Sequence, residues 1–163
     1  MLRDCIAMLR EWSTAPVLDI SDFLNAVIFN MLIGNADAHG KNYSLLYRQG
    51  ERRLAPCYDL VCTLAWPELS KTPAMKIGQC DSLDAITPVH WQKMTAEARL
   101  GWPMVRERLA DLCRALQTAL HAPPCVREPE IMPCSSGWRP SSRTARRCCC
   151  RLWPERAAPH PAR

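Results

Sequence analysis

Residues 29–60 read FNMLIGNADAHGKNYSLLYRQGERRLAPCYDL, and the order of residue types within them decides the fold on either side. The stretch opens as the end of an apolar helix. Gly34 and Asn35 stop that helix, because both residue types tolerate the left-handed backbone that closes one. A polar cluster from Asn35 to Asn42 follows. Tyr43-Ser44-Leu45-Leu46-Tyr47 is then strand-like, Gln49-Gly50 a turn and Arg53-Leu54-Ala55 a returning strand, so a β-hairpin is expected here. Pairing Arg48 with Glu51 across the turn sets Tyr43 opposite Pro56 and Asn42 opposite Cys57. Asn42 thereby comes close to Tyr58 and Asp59, although 17 positions separate Asn42 from Asp59.

Upstream, residues 2–12 can form a short helix that Ala15-Pro16 breaks. Asp19 or Ser21 is expected to cap the next helix, with Asp22 in its first turn. Phe23, Leu24, Val27, Ile28, Met31 and Leu32 recur along it at helical spacing, and only Asn25 and Asn30 interrupt them, so it should be buried on most sides. Downstream, Pro67 to Pro73 reads as a loop and Ala74-Met75-Lys76-Ile77 as a short strand. Thr87-Pro88 starts a helix that runs to about Leu100. After Gly101, Pro103 to Leu120 forms a last helix with Val105, Leu109, Leu112, Leu116 and Leu120 on one side. The fold class is therefore mainly α with a small β-hairpin.

The formal net charge of the 163 residues is +5. Residues 1–122 hold 13 basic and 13 acidic side chains and balance to zero, whereas residues 123–163 hold 8 Arg, no Lys, no Asp and 3 Glu. The charge therefore gives no reason for the body to bind nucleic acid. From Pro123 onward periodicity vanishes among Arg, Pro, Cys, Ser and Ala, so 123–163 is expected to be a disordered tail beside a folded domain of 1–122. Its composition also fits a frame-shifted reading of G/C-rich sequence. A Cys-rich metal knot competes with that reading but lacks paired C-x-x-C spacing. The longest apolar stretch, Leu24 to Ile33, is shorter than the ~20 residues of a membrane span. No signal peptide is legible at the N-terminus, so ten cysteines define no disulfide framework and a cytoplasmic location is the expectation.

Asp37, Asn42 and Asp59 carry the chemical signature. Phosphoryl transfer needs a carboxylate to orient the attacking hydroxyl and oxygen ligands for Mg²⁺ on the nucleotide phosphates. In protein kinases a catalytic-loop Asp is followed five positions later by a metal-binding Asn, and a second metal-binding Asp follows after a short hairpin. Asp37, Asn42 and Asp59 have that spacing. The segments FNMLIGNADAHGKNYSLLY and LAPCYDL resemble the catalytic loop and metal-binding segment of the HipA family, serine/threonine kinases that act as toxins in bacterial toxin–antitoxin pairs. The family's N-x-D-x-H-x-K-N pattern is matched by Asn35, Asp37, His39, Lys41 and Asn42. Ala74-Met75-Lys76-Ile77-Gly78 and the two closing helices also resemble that family's C-terminal lobe, over roughly residues 1–120.

The resemblance implies a C-terminal lobe of a protein-kinase-like fold, with Asp37 as catalytic base and Asn42 and Asp59 as Mg²⁺ ligands. It places His39 and Lys41 on the phosphate side of the loop and Tyr58 beside the nucleotide. ATP, a protein substrate and an antitoxin of the HipB type are the implied partners. Blander readings stand beside these. Asp37 with Asn35 could be turn chemistry, His39 a structural hydrogen-bonding residue and Lys41 a solvated charge. Tyr43 and Tyr47 read as half-buried strand residues, and Trp12, Trp66, Trp91 and Trp102 as core or groove residues. The sequence holds no Gly-rich phosphate loop and no strand-borne Lys upstream of Asp37. The expectation is thus a kinase lobe without its nucleotide-covering half, inactive by itself. The alternatives are a non-catalytic lobe that binds an antitoxin-like partner, or a decayed gene product.

Overall fold

The computed structural model describes residues 2–121. The expected tail, 123–163, lies outside them. Helix α1 (Leu2–Trp12) and helix α2 (Pro16–Ile33) are followed by strands β1 (Leu45–Arg48) and β2 (Glu51–Leu54), then by α3 (Pro88–Glu97) and α4 (Trp102–His121). Single 3₁₀ turns occupy Gly40–Asn42, Thr63–Ala65 and Leu83–Ala85. The fold is mainly helical with one two-stranded antiparallel sheet.

Helix α2 is the centre of the molecule and packs against α1, α4 and β2. Phe23, Leu24, Ile28 and Leu32 on it are almost wholly buried, together with Ile6 and Leu9 of α1, Trp91 of α3 and Val105 and Leu109 of α4. Length and composition alone would let α2 cross a membrane, but here its apolar sides form the core. It starts earlier than the sequence suggests. Pro16 takes the first helical turn, where its missing N–H costs nothing, and Ala15 stands at the cap without a side-chain hydrogen bond. Asp19 is therefore not the cap: it lies within the first turn, drawn inward by partners from the hairpin.

The end of α2 follows expectation. Gly34 has φ 80°, its N–H reaches the Met31 carbonyl at 3.2 Å, and the Asn35 N–H reaches the Asn30 carbonyl at 2.8 Å. Together these form a Schellman closure. A side chain at Gly34 would also strike Leu64, whose Cδ1 lies 2.8 Å from where a Cβ would stand.

The hairpin has the expected register, with Arg48 opposite Glu51, Tyr47 opposite Arg52 and Leu45 opposite Leu54. Gln49 (φ 51°) and Gly50 (φ 83°) both take left-handed backbone, which matches the turn to the twist of the strands. Other expectations fail locally. Residues 74–77 form no strand: the Ala74 N–H bonds the Ala36 carbonyl (2.8 Å) and the Ile77 carbonyl accepts the Cys80 N–H (3.0 Å), and neither contact belongs to a ladder. Tyr43 lies just before the hairpin and leans on Phe23, ring centroids 4.7 Å apart. Tyr47 lies in β1 as expected but is 72% exposed rather than half-buried, and Trp66, 42% exposed, is not a core residue. Helix α3 begins after Thr87, whose N–H donates to His90 Nδ1 at 3.1 Å, and it stops at Glu97 rather than near Leu100.

Candidate functional site

The polar loop after α2 is held from three sides. The Thr63 hydroxyl accepts the Ala36 N–H at 2.8 Å and donates to the Gly34 carbonyl at 3.2 Å, and the Leu64 N–H meets the same carbonyl at 3.1 Å. Asn35 is buried and works in both directions. Its Oδ1 accepts the Asp37 N–H at 3.1 Å, while its Nδ2 donates to Asn30 Oδ1 at 2.8 Å and to the Asp59 carbonyl at 3.1 Å. One amide side chain thus joins the end of α2, the residue Asp37 and the segment after the hairpin. Asn35 and Thr63 carry this arrangement, yet sequence reasoning gives neither a site role. Asn35 stands in the matched motif, where a helix-closing role already accounts for it; Thr63 belongs to no motif.

The open end of the hairpin does what its register requires. The Asn42 amide Nδ2 donates to Asp59 Oδ2 at 2.8 Å. Asn42 is buried at the end of the 3₁₀ turn that its own N–H closes on the His39 carbonyl at 3.0 Å. Asp59 is exposed and takes φ 57°, a left-handed conformation held by the hydrogen bond from Asn35 to its carbonyl. Alongside, the Tyr58 hydroxyl donates to the Lys41 carbonyl at 2.8 Å and lies 3.1 Å from the Ser44 hydroxyl. Tyr58 therefore ties the loop backbone to the segment that carries Asp59, with its ring about half exposed.

The remaining candidates differ in setting. Asp37 is exposed, and its carboxylate makes no hydrogen bond or ion pair among the described residues. The Lys41 side chain is exposed, its backbone carbonyl being the part engaged. His39 is half-buried and its Nδ1 is buried without a hydrogen-bond partner among the described residues, so its ring does not fill the structural bonding role on that side. Burial, with Asn30 beside the hydroxyl opposing it, pushes the Tyr43 phenol up to about 12. Burial likewise raises the Cys57 thiol, and the Asp22 carboxylate adds to that.

No group of three His, Cys, Asp or Glu side chains suited to a metal occurs among the described residues. A hard cation such as Mg²⁺ does not require one, since it keeps several waters and takes one or two protein oxygens. Asn42 and Asp59 supply a neutral and a charged oxygen donor. Beyond their mutual bond neither Asn42 Oδ1 nor Asp59 Oδ1 is hydrogen-bonded among the described residues. The donor set fits such an ion.

Residues 1–120 match the HipA-like C-terminal domain. The chain is 44% identical over 110 residues to Y4mE of Sinorhizobium fredii, a protein provisionally named a kinase; the match takes in 68% of this chain and 26% of that protein. It is 31% identical over 126 residues to the serine/threonine-protein kinase toxin HipA of Shewanella oneidensis, covering 73% of this chain and 29% of the relative. The chain thus spans roughly a quarter of the length of these relatives. Among solved structures, that of the Shewanella oneidensis toxin–antitoxin complex of HipA, HipB and operator DNA superposes with a TM-score of 0.74 at 23% identity, over 93% of this chain and 35% of that one. The helices, the hairpin and the loop between them are thus arranged as in the C-terminal part of HipA. With nearly every described residue inside the match, the chain belongs to the HipA-like C-terminal domain family.

Proposed function

We propose that this chain is the catalytic-loop lobe of a HipA-type serine/threonine protein kinase of a toxin–antitoxin pair, transferring the γ-phosphate of ATP to a Ser or Thr hydroxyl of a protein. The observation that carries this reading is the 2.8 Å contact between Asn42 and Asp59, which gathers an amide and a carboxylate at one point. Asn42 and Asp59 would hold Mg²⁺ through their oxygens. When bound, the ion neutralises charge on the nucleotide phosphates. Asp37 accepts the proton of the attacking hydroxyl; its exposed carboxylate, unengaged among the described residues, is open to a substrate. His39 and Lys41 face the phosphates and Tyr58 lies beside the nucleotide. The 163 residues contain no Gly-rich loop to cover the phosphates, so the reaction needs that region from elsewhere.

Purified protein supplied with a HipA-type N-terminal region, labelled ATP and Mg²⁺ is expected to label a protein substrate. Asp37→Ala should slow labelling about a hundredfold or more. No label with the added region, or full activity in Asp37→Ala, contradicts the reading. A second reading keeps the fold without the catalysis. Leu60, Val61, Trp66 and Leu69 stand exposed on the segment after Asp59, a surface suited to an antitoxin-like partner. A pull-down from native cells that recovers no partner would count against it.

A further inference from the structure

Asp19 is a carboxylate that the proposed chemistry does not use, yet it is only 1% exposed. Its Oδ2 accepts the Ser13 hydroxyl at 2.6 Å and the Leu54 N–H at 3.0 Å, and its Oδ1 accepts Arg53 Nε at 3.0 Å. Ser13 in turn accepts the Ala15 N–H at 2.9 Å, which fixes the α1–α2 turn against the same acid. The placement follows from the hairpin's register. In an antiparallel pair, alternate residues turn their N–H and C=O groups away from the partner strand. On β2 the outward residues are Arg52 and Leu54. The Thr14 N–H meets the Arg52 carbonyl at 2.9 Å, the Arg52 N–H meets the Thr14 hydroxyl at 3.1 Å, and Asp19 takes the Leu54 N–H. The α1–α2 turn and Asp19 thus complete the outer edge of β2.

Leu54 is the last residue of β2, and five positions on is Asp59. The chain between them has no regular structure and is pinned at both ends, by Asp19 at Leu54 and by Asn35 and Asn42 at Asp59. We infer that Asp19 is a positioning residue for the Asn42–Asp59 pair, holding the return strand so that the Asp59 carboxylate meets Asn42. This rests on the reading of that pair as the divalent-ion site. Asp19 touches neither residue of the pair; it acts through β2, as outer groups act through metal ligands, whose loss costs about 10- to 100-fold in metal affinity.

The test uses the full chain with Mn²⁺ as probe, binding followed by electron paramagnetic resonance, and the Asn42 side-chain amide resonance as a second readout. Asp19→Asn is expected to weaken Mn²⁺ binding about tenfold at a temperature where the chain is folded, and to shift the Asn42 amide signal. Ser13→Ala, which withdraws one donor and keeps the acid, should move both readouts the same way by less, and it serves should Asp19→Asn not fold. A purely structural role would lower the melting temperature while leaving Mn²⁺ affinity and the Asn42 signal unchanged, and that result overturns the inference. If wild type and Asp59→Ala alike fail to bind Mn²⁺, the metal reading falls; the Asn42 signal then still decides the positioning, since no shift in Asp19→Asn refutes it.

Discussion

Asn35 shows how one side chain can organise a loop. Its amide has one acceptor and two donor hydrogens, and the structure engages both ends: the oxygen takes the Asp37 N–H, the nitrogen serves Asn30 and Asp59. Those partners come from a helix end, the loop and the segment beyond the hairpin, so a shorter or apolar residue leaves the Asn30 amide oxygen without its donor in a buried place. Asn35→Ala is expected to cost about 1–3 kcal/mol, read as a lowered midpoint in chemical denaturation with an unchanged slope. The sequence marks Asn35 as a helix stop, which it is. It cannot show the bond to Asp59, because that contact depends on the chain folding back over a separation of 24 positions. Asn42 and Asp59 were legible as a pair for a simple reason: a hairpin of known register converts sequence distance into spatial proximity.

At the scale of elements, the hairpin is legible because its information is local. Gly50 supplies left-handed backbone and Arg48 faces Glu51 across it, so the strands follow from the turn. The supposed strand at 74–77 had only its apolar composition, and without a neighbouring edge such a run has nothing to pair with. Asp19 misled for the opposite cause. An acid near a helix start reads as a cap, but the outer edge of β2 needed an acceptor and drew the side chain inside. Burial alone would raise the Asp19 carboxyl; hydrogen bonds from Ser13, Leu54 and Arg53 outweigh it and hold it below its ordinary 3.8. A carboxyl with a depressed folded pKa stabilises the fold above its unfolded value and loses that contribution as pH falls toward the folded one. Denaturation at a series of pH values should therefore find wild type well above Asp19→Asn near neutrality, with the gap closing as pH falls below about 3.8. A gap independent of pH would show that the charge is not what Asp19 contributes.

For the whole molecule, the arrangement is a helical block that presents one polar loop. α2 is apolar on nearly all sides because α1, α4 and β2 cover it, and its end sets the buried Asn35 and the exposed Asp37 beside the hairpin's open end. The helix periodicities make that block readable; the loop's internal bonding, which depends on Thr63 and on Asn35 reaching across, is not encoded in any period. The chain's charge balance also falls into place, since residues 1–122 are neutral and the loop's carboxylates are not drowned in a larger acidic field. The most direct test of the account is Mn²⁺ titration followed by paramagnetic broadening of amide resonances in the full chain. Signals of Lys41, Asn42 and Asp59 should broaden first, and Asp59→Ala should abolish the effect there. Broadening that begins at other surface carboxylates such as Asp81, or that survives Asp59→Ala, would contradict it.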